Sequence, residues 1–178
     1  GQRLLLATNA GMYHPDFSPV GLFVEGGKQV TPLNLEKGEG NFFLKPNGVF
    51  LVTDKGARVV ESSELLTLRG ERIRLATQSG PLLVRSGKIH PDFKPDSIFR
   101  LIRNGVGVPE PGVAIFVQTD DVVNLHQFAR LFRDVLKCPD ALFLDGTVSS
   151  LHAPELGRSE KKIDLGPILG VLEDPKSR

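Results

Sequence analysis

The chain has 178 residues, of which 40% are apolar and 24% charged, values typical of a globular domain. Lys and Arg number 22 against 21 Asp and Glu, so no basic surplus points to nucleic acid as a partner. No apolar run approaches the roughly 20 residues that a membrane-spanning helix needs. The single cysteine, Cys138, excludes an intrachain disulfide framework and a cysteine-rich zinc site. We therefore expect one domain over residues 1–178.

Glycines and prolines divide the chain into short segments, and apolar runs between them predict β-strands. In chain order these runs are 3–8, 21–25, 41–45, 49–53, 57–60, 72–77, 81–84 and 113–119. The clearest hairpin signal is Asn47-Gly48, because Asn-Gly supplies the positive φ of a primed turn. It predicts a hairpin at residues 45–49.

One long helix is predicted over residues 123–136. Its apolar residues recur at helical spacing, at Leu125, Phe128, Leu131, Phe132, Val135 and Leu136. Asn124 is suited to cap its start, and Pro139 follows its end. Residues 61–66 are compatible with a short second helix. The polar stretch 160–178 is expected to be a loosely packed tail.

The order of strand 113–119, helix and strand 141–144 is typical of a βαβ unit, whose strands run parallel with a right-handed crossover. Gln118, Thr119, Asp120 and Asp145 would then lie at one edge of the sheet, where ligands bind in open sheets. These segments predict a strand-rich α+β fold, mixed but mostly antiparallel, with one long helix in a C-terminal βαβ-like unit.

The strongest functional signal is Asp145 at the end of the apolar run 141–144. A buried strand holds the side chain at its end in place, and Gly146 lets the backbone turn beside it. Ser149, Ser150 and His152 follow within a few residues. This pattern predicts a positioned catalytic carboxylate.

Three further polar segments are candidate ligand-binding sites, and each has a structural alternative. Asn9 ends the first predicted strand, where an amide often only bonds local backbone. Gln78 and Ser79 end another predicted strand. Arg103 and Asn104 precede a glycine-rich run, and an arginine fork suits carboxylate or phosphate, although a surface ion pair is the alternative.

Taken together, these segments resemble the motifs of one family. The matching stretches are Asn9-Ala10-Gly11-Met12-Tyr13, Gln78-Ser79-Gly80-Pro81-Leu82-Leu83, Arg103-Asn104-Gly105-Val106-Gly107 and Asp145-Gly146-Thr147-Val148-Ser149-Ser150. They look like the phosphodiester glycosidase family related to the mannose-6-phosphate uncovering enzyme, and most closely like its bacterial members of uncharacterised role. Ala10, Thr147 and Val148 stand where that family usually has glycine. Thr147 and Val148 narrow the space beside Asp145, which favours a different substrate with the same reaction type.

The resemblance implies a hydrolase that removes a sugar from a sugar-1-phosphodiester. Asp145 would be the catalytic carboxylate and Arg103 the phosphate clamp, with Glu25 as the reserve catalytic residue. The substrate-binding set would be Asn9, Gln78, Ser79, Asn104, Ser149, Ser150 and His152.

The expected partner is a carbohydrate or glycosyl-phosphate small molecule, with no nucleic acid, no membrane-spanning segment and no cofactor. A metal is left unassigned: the four histidines have no paired spacing, but a divalent ion bridging Asp145 and phosphate stays open. We expect an exported, periplasmic or cell-envelope protein, from which a signal peptide has been trimmed. The alternative function is a non-catalytic glycan or glycan-phosphate-binding module of the bacterial envelope. The two functions differ in the role of Asp145, which is catalytic only in the enzyme.

Overall fold

The computed structural model describes residues 2–68, 70–160 and 163–174. Within them the chain forms fourteen β-strands, one α-helix and short 3-10 helices. The strands are β1 (Leu4–Asn9), β2 (Phe23–Glu25), β3 (Lys28–Thr31), β4 (Gly48–Thr53), β5 (Gly56–Glu61), β6 (Ile73–Ser79), β7 (Leu82–Arg85), β8 (Lys88–Ile89), β9 (Asn104–Val108), β10 (Ile115–Gln118), β11 (Asp140–Asp145), β12 (Leu151–Ala153), β13 (Arg158–Ser159) and β14 (Ile168–Leu172). The strand-rich α+β prediction is confirmed.

The strands form three antiparallel sheets. The first sheet has the order β13-β12-β1-β14, the second β10-β9-β11-β7-β8 and the third β3-β2-β6-β4-β5. One core cluster joins Phe50 of the third sheet to Leu142 and Leu144 of the second. On the opposite face of the second sheet, Phe143 packs against the helix. Because β11 is buried on both faces, its sequence is a continuous apolar run rather than an alternating one.

The helix begins where the sequence predicts. α1 (Leu125–Arg130) is capped by Asn124, whose side chain accepts a hydrogen bond from the Gln127 backbone, while the Gln127 side chain accepts one from the Asn124 backbone. A π-helical turn (Leu131–Val135) continues it. Within the described residues, no helix is long and apolar enough to cross a membrane. The short helix predicted at 61–66 is a 3-10 helix, Ser62–Thr67.

The hairpin predicted at residues 45–49 is wrong. Residues 41–43, which belong to the strand predicted at 41–45, form a 3-10 helix, and Asn47-Gly48 leads directly into β4. The Asn47 amide instead donates to the Phe42 carbonyl at 2.8 Å. A side chain at Gly48 would meet Leu82 Cδ2 at 2.5 Å and the Val60 carbonyl at 2.9 Å, so this glycine permits a close approach between chains rather than a turn.

The βαβ prediction is corrected in one respect. β10 and β11 both pair antiparallel with β9, so they run parallel to each other but are separated by one strand. Gln118 and Asp145 are both register partners of Asn104, which places the two C-terminal ends at the same edge, as expected. The sequence does not predict β9, because the glycines in this segment lower its strand propensity.

The stretch predicted as a loose tail contains a strand. β14 pairs with β1 from Asn9↔Ile168 to Leu4↔Leu172, and Leu169 is buried in the core. The buried Leu169 side chain therefore holds this part of the stretch against the core. Residues 161–162 and 175–178 lie outside the described residues.

A buried histidine fixes the loop that leaves β8. The His90 ring stacks on Phe93, its Nε2 lies 3.0 Å from the Lys45 carbonyl, and its Nδ1 lies 3.2 Å from the Asp92 backbone nitrogen. The contacts assign a neutral ring, in which Nε2 donates and Nδ1 accepts. Burial lowers the pKa of His90, partly offset by the Lys45 carbonyl and the Asp92 charge.

We expect Gly107→Ala to lower the free energy of unfolding by about 1–3 kcal/mol, because overpacking forces neighbours to move. An added Cβ would lie 2.6 Å from Phe132 Cδ1 and 2.7 Å from Cys138 Sγ. Urea denaturation measures the effect. Gly170→Ala in β14 is the matched control, since its Cβ would meet only Leu4 Cδ1 at 3.6 Å. Equal stability of the two variants would contradict this packing.

We expect the free energy of unfolding to fall as pH is lowered from about 7.5 to 5. The folded state binds the proton on His90 less tightly than the unfolded chain does, so acid favours unfolding, by at most about 1.4 kcal/mol per pH unit. Urea denaturation across this pH range should show a smaller slope for His90→Gln. The exposed His14→Gln variant should keep the slope of the unchanged protein, and an unaltered slope in His90→Gln would refute the assignment.

Candidate active site

Two buried amides join the first and second sheets. Asn9 ends β1 and Asn104 begins β9, and each side chain is 1% exposed. Asn104 Nδ2 donates to Asn9 Oδ1 at 2.8 Å, and Asn104 Oδ1 accepts from the Asp145 backbone nitrogen at 2.9 Å. Asn9 Oδ1 also accepts from the Ser150 backbone nitrogen at 3.0 Å. This Asn9–Asn104 pair therefore fixes both ends of the turn that follows β11.

Asp145 organises that turn itself. Its Oδ1 accepts hydrogen bonds from the backbone nitrogens of Gly146, Thr147 and Val148, at 2.5, 2.7 and 3.2 Å. The side chain is half-buried. One carboxylate oxygen thus has a structural role that sequence reasoning missed, and the same bonds hold the carboxylate in one orientation.

Arg103 lies next to this turn and carries an uncompensated charge. It is 3% exposed, and its Nε and Nη2 donate to the carbonyls of Val123 at 2.8 Å and Phe99 at 3.1 Å. Its Nη1 is buried and has no hydrogen-bond partner among the residues that the structure describes. The guanidinium lies 5.4 Å from the centre of the Phe143 ring. Burial lowers the pKa of Arg103.

A single residue separates this cation from Asp145. A Cβ built on Gly146 would lie 3.3 Å from Arg103 Nη1 and 3.4 Å from Leu101 Cδ1. Arg103 is therefore not the surface ion-pair residue of the structural alternative. A buried guanidinium without a carboxylate partner is costly unless an anion reaches it.

Gln78 has a structural role instead of the predicted binding role. Its Oε1 accepts from the backbone nitrogens of Leu22 and Asn34, both at 2.9 Å. Its Nε2 donates to the Asn34 carbonyl at 2.6 Å and to Ser62 Oγ at 3.0 Å. These bonds use both lone pairs and both N–H groups of the amide, so the side chain has no capacity left for a substrate.

The predicted serines are also engaged in the protein. Ser79 is fully buried and donates to the Leu144 carbonyl, while Ser150 donates to the Glu160 carbonyl at 2.9 Å. Ser149 Oγ lies 3.3 Å from the Ile102 carbonyl. His152 on β12 contacts Ser159 Oγ through Nδ1 at 3.1 Å. In this structure the three serine hydroxyls and the His152 ring therefore bond other protein groups.

Glu25 lies away from the other predicted residues. It is the exposed last residue of β2, beside the Gly26-Gly27 turn. Val24 pairs with Ala76 on β6, and Ser79 lies three residues further along that strand, roughly 10 Å away. Because Ser79 contacts the end of β11, Glu25 is at the opposite end of β6 from Asp145. The structure therefore does not support its reserve catalytic role.

Two residues near Asp145 were missed as site residues. Burial and, to a smaller extent, the charge of Asp145 raise the pKa of Tyr13, which places the phenol within electrostatic range of the carboxylate. Its position in the opening motif was the available signal. Glu160 accepts from Gln118 Nε2 at 3.0 Å, pairs with Arg158, and receives the Ser150 hydroxyl on its carbonyl. No sequence spacing indicates Glu160.

Among the described residues, no group of three or more His, Cys, Asp or Glu side chains is arranged to hold a metal ion. Around Asp145 the described residues supply a fixed carboxylate, a phenol and a buried guanidinium. A carboxylate can stabilise a developing positive charge or accept a proton, and a guanidinium can neutralise a phosphate.

We expect Asn104→Ala to lower the free energy of unfolding by roughly 2–4 kcal/mol, because the Asp145 N–H and the Asn9 amide lose buried partners. Chemical denaturation measures this. Asn41→Ala, at an exposed asparagine, is the control and should change stability by less than about 0.5 kcal/mol. A change as small in Asn104→Ala would show that the amide pair does not hold the turn.

Comparisons with known proteins identify the family of this chain. A model of the phosphodiester glycosidase family matches residues 2–160. The uncharacterized protein YigE of Escherichia coli strain K12 is 38% identical over 150 residues, which cover 84% of this chain and 58% of that protein.

A solved structure shares the fold. It is the catalytic domain of zebrafish N-acetylglucosamine-1-phosphodiester alpha-N-acetylglucosaminidase, auto-inhibited by its pro-peptide, with a TM-score of 0.63 and 19% identity over 85% of this chain and 54% of that one. The chain thus spans little more than half the length of either relative. With the family match covering nearly all of the described residues, this chain belongs to the phosphodiester glycosidase family.

Proposed function

We propose that this chain carries the active site of a hydrolase that cleaves the sugar from a glycosyl phosphodiester. Asp145 is the catalytic carboxylate, and Arg103 binds the phosphate. Asn9 and Asn104, which the sequence suggested as substrate ligands, act as positioning residues, because both are buried and bonded to the turn that carries Asp145.

One observation carries the proposal: a buried guanidinium without an anionic partner lies one residue away from a fixed, half-buried carboxylate. Gly146 is that residue, with its position for a Cβ 3.3 Å from Arg103 Nη1. A glycosyl phosphodiester presents matching groups side by side, an anomeric carbon joined through one oxygen atom to an anionic phosphate. Charge neutralisation by Arg103 favours both binding and departure of the phosphate.

The chemistry follows from these groups. Water attacks the anomeric carbon, the bond from that carbon to the phosphate oxygen breaks, and the phosphate leaves as a monoester. Asp145 either stabilises the oxocarbenium-like transition state or accepts the proton of the attacking water. A phosphate is a better leaving group than a sugar hydroxyl, so a second carboxylate acting as general acid is not required.

A non-catalytic binding module is the second candidate function. The observation that favours it is the structural use of Asp145, whose Oδ1 already accepts from three backbone nitrogens. In that case Arg103 binds a glycan phosphate and the carboxylate only shapes the turn. For either function we propose an exported, periplasmic or envelope location. Fractionation of cells that express the full-length protein tests this location.

We expect Asp145→Asn to lower turnover of a glycosyl-1-phosphodiester by about 10²–10⁴-fold, the usual contribution of a catalytic acid or base. The amide oxygen can still accept the backbone N–H groups of the turn, so ligand binding should change little. Phosphorus NMR, which separates diester from monoester, follows the reaction on a panel of sugars, with and without a chelator.

Asp140→Asn is the matched control, because Asp140 begins the same strand and accepts from the Ser86 backbone nitrogen at 2.9 Å. It should retain turnover close to that of the unchanged protein. Binding of the diesters with no hydrolysis of any of them would refute the enzyme and favour the binding module.

A further inference from the structure

A second feature of the molecule lies on the other side of Arg103. A cleft of about 630 Å³ opens between the loop after β8 and the start of α1. We call it the Phe99 cleft, and the residues that line it include Lys94, Asp96, Ile98, Phe99, Leu101 and Arg103. Its volume is in the range of small-molecule sites, about 300–1,000 Å³. Asp145 is not among the residues that line it.

The outer wall of the Phe99 cleft exposes large apolar side chains in succession. Ile98 is 84% exposed, Phe99 78% and Leu101 44%. Consecutive apolar residues left in water are costly, and such a patch commonly marks a binding site. The wall is therefore suited to an apolar group.

The inner wall ends at the uncompensated cation. Arg103 is 3% exposed, and its Nη2 is held by the carbonyl of Phe99, the same residue that forms the outer wall. None of the ion pairs in the described residues involves Arg103. A ligand that carries both an anion and an apolar group would contact Arg103 and the apolar outer wall at the same time.

The remaining charges of the cleft favour an occupant with few negative charges. Lys94 and His126 are the other basic residues, while Asp92 and Asp96 are acidic. The two carboxylates repel a polyanion, whereas a monoanion, the charge of a phosphodiester, can pair with Arg103.

We infer that the Phe99 cleft binds the group esterified to the phosphate on the side away from the sugar, and that this group is apolar, aliphatic or aromatic. The inference rests on the proposed function, since it takes phosphate at Arg103 and sugar at Asp145. The contacts of the guanidinium agree with it: Nη1 lies near Gly146, which follows Asp145, and Nη2 donates to the Phe99 carbonyl.

Binding of two simple monoanionic diesters tests the cleft without any turnover. We expect methyl hexyl phosphate to bind at least about tenfold more tightly than dimethyl phosphate in isothermal titration calorimetry, because each buried methylene adds to affinity. Phe99→Ser should reduce this preference to less than about threefold. The side chain is mostly in water, so the substitution should leave the fold intact, which thermal denaturation checks.

Leu66→Ser is the matched control, because Leu66 is a comparably exposed apolar side chain, 67% exposed, on the Ser62–Thr67 helix outside the cleft. It should keep the preference of the unchanged protein. Equal binding of the two diesters, or an unaltered preference in Phe99→Ser, would overturn the inference. A dimer that dissociates on Phe99→Ser, without any preference for the hexyl ester, would assign this face to a second copy of the chain and would also overturn it.

Turnover separates this inference from the proposed function. Two results together would support both the hydrolase and the cleft. Glycosyl hexyl phosphates would be hydrolysed with higher kcat/KM than glycosyl methyl phosphates, and Phe99→Ser would remove this difference by raising KM for the hexyl ester. A retained hexyl preference in binding with no hydrolysis of any diester refutes the hydrolase and leaves the cleft assigned. Hydrolysis that is indifferent to the alkyl group refutes the cleft alone.

Discussion

The hydrogen bonds between the buried amides of Asn9 and Asn104 are the contact on which the rest of the site depends. They connect the end of β1 to the start of β9, and each amide also bonds one backbone nitrogen of the segment after β11. In a water-free interior, a polar group without its partner costs about 1–3 kcal/mol, so the pair tolerates little displacement. Two sheets and the turn that carries Asp145 are thereby held in one arrangement.

The electrostatics of the site follow from that arrangement. Asp145 is oriented by the backbone of its own turn, and Arg103, one residue before Asn104, is buried beneath Gly146 with one nitrogen unpaired. The Asp145 carboxylate bonds backbone nitrogens, and none of the ion pairs in the described residues joins it to Arg103. The proposed role of Arg103 as a phosphate clamp rests on this unpaired nitrogen.

Much of the fold could be predicted from local patterns. The strands around Val49 and Leu82 and the helix that Asn124 caps depend on apolar periodicity and local capping, which neighbouring residues decide. β9 and β14 were missed for different reasons. The glycines of β9 lower its strand propensity, whereas the apolar run of β14 was overlooked within the polar stretch 160–178. Both strands pair with distant parts of the chain, β9 with β11 and β14 with β1. The Asn47-Gly48 pair misled because Gly48 permits a tertiary contact with Leu82 rather than a turn.

The sequence by itself determined the family, the acid at the end of a buried strand and the arginine before the glycine-rich run, because these are fixed by residue type and order. Only the tertiary structure decided what each polar residue does. Gln78 makes four hydrogen bonds to other protein groups, and Glu25 lies at the opposite end of β6 from Asp145. Arg103 is buried and has no ion-pair partner among the residues that the structure describes. The reason is physical: the hydrogen-bonding and charge capacity of a side chain is allocated by partners remote in sequence, and only folding brings those partners together.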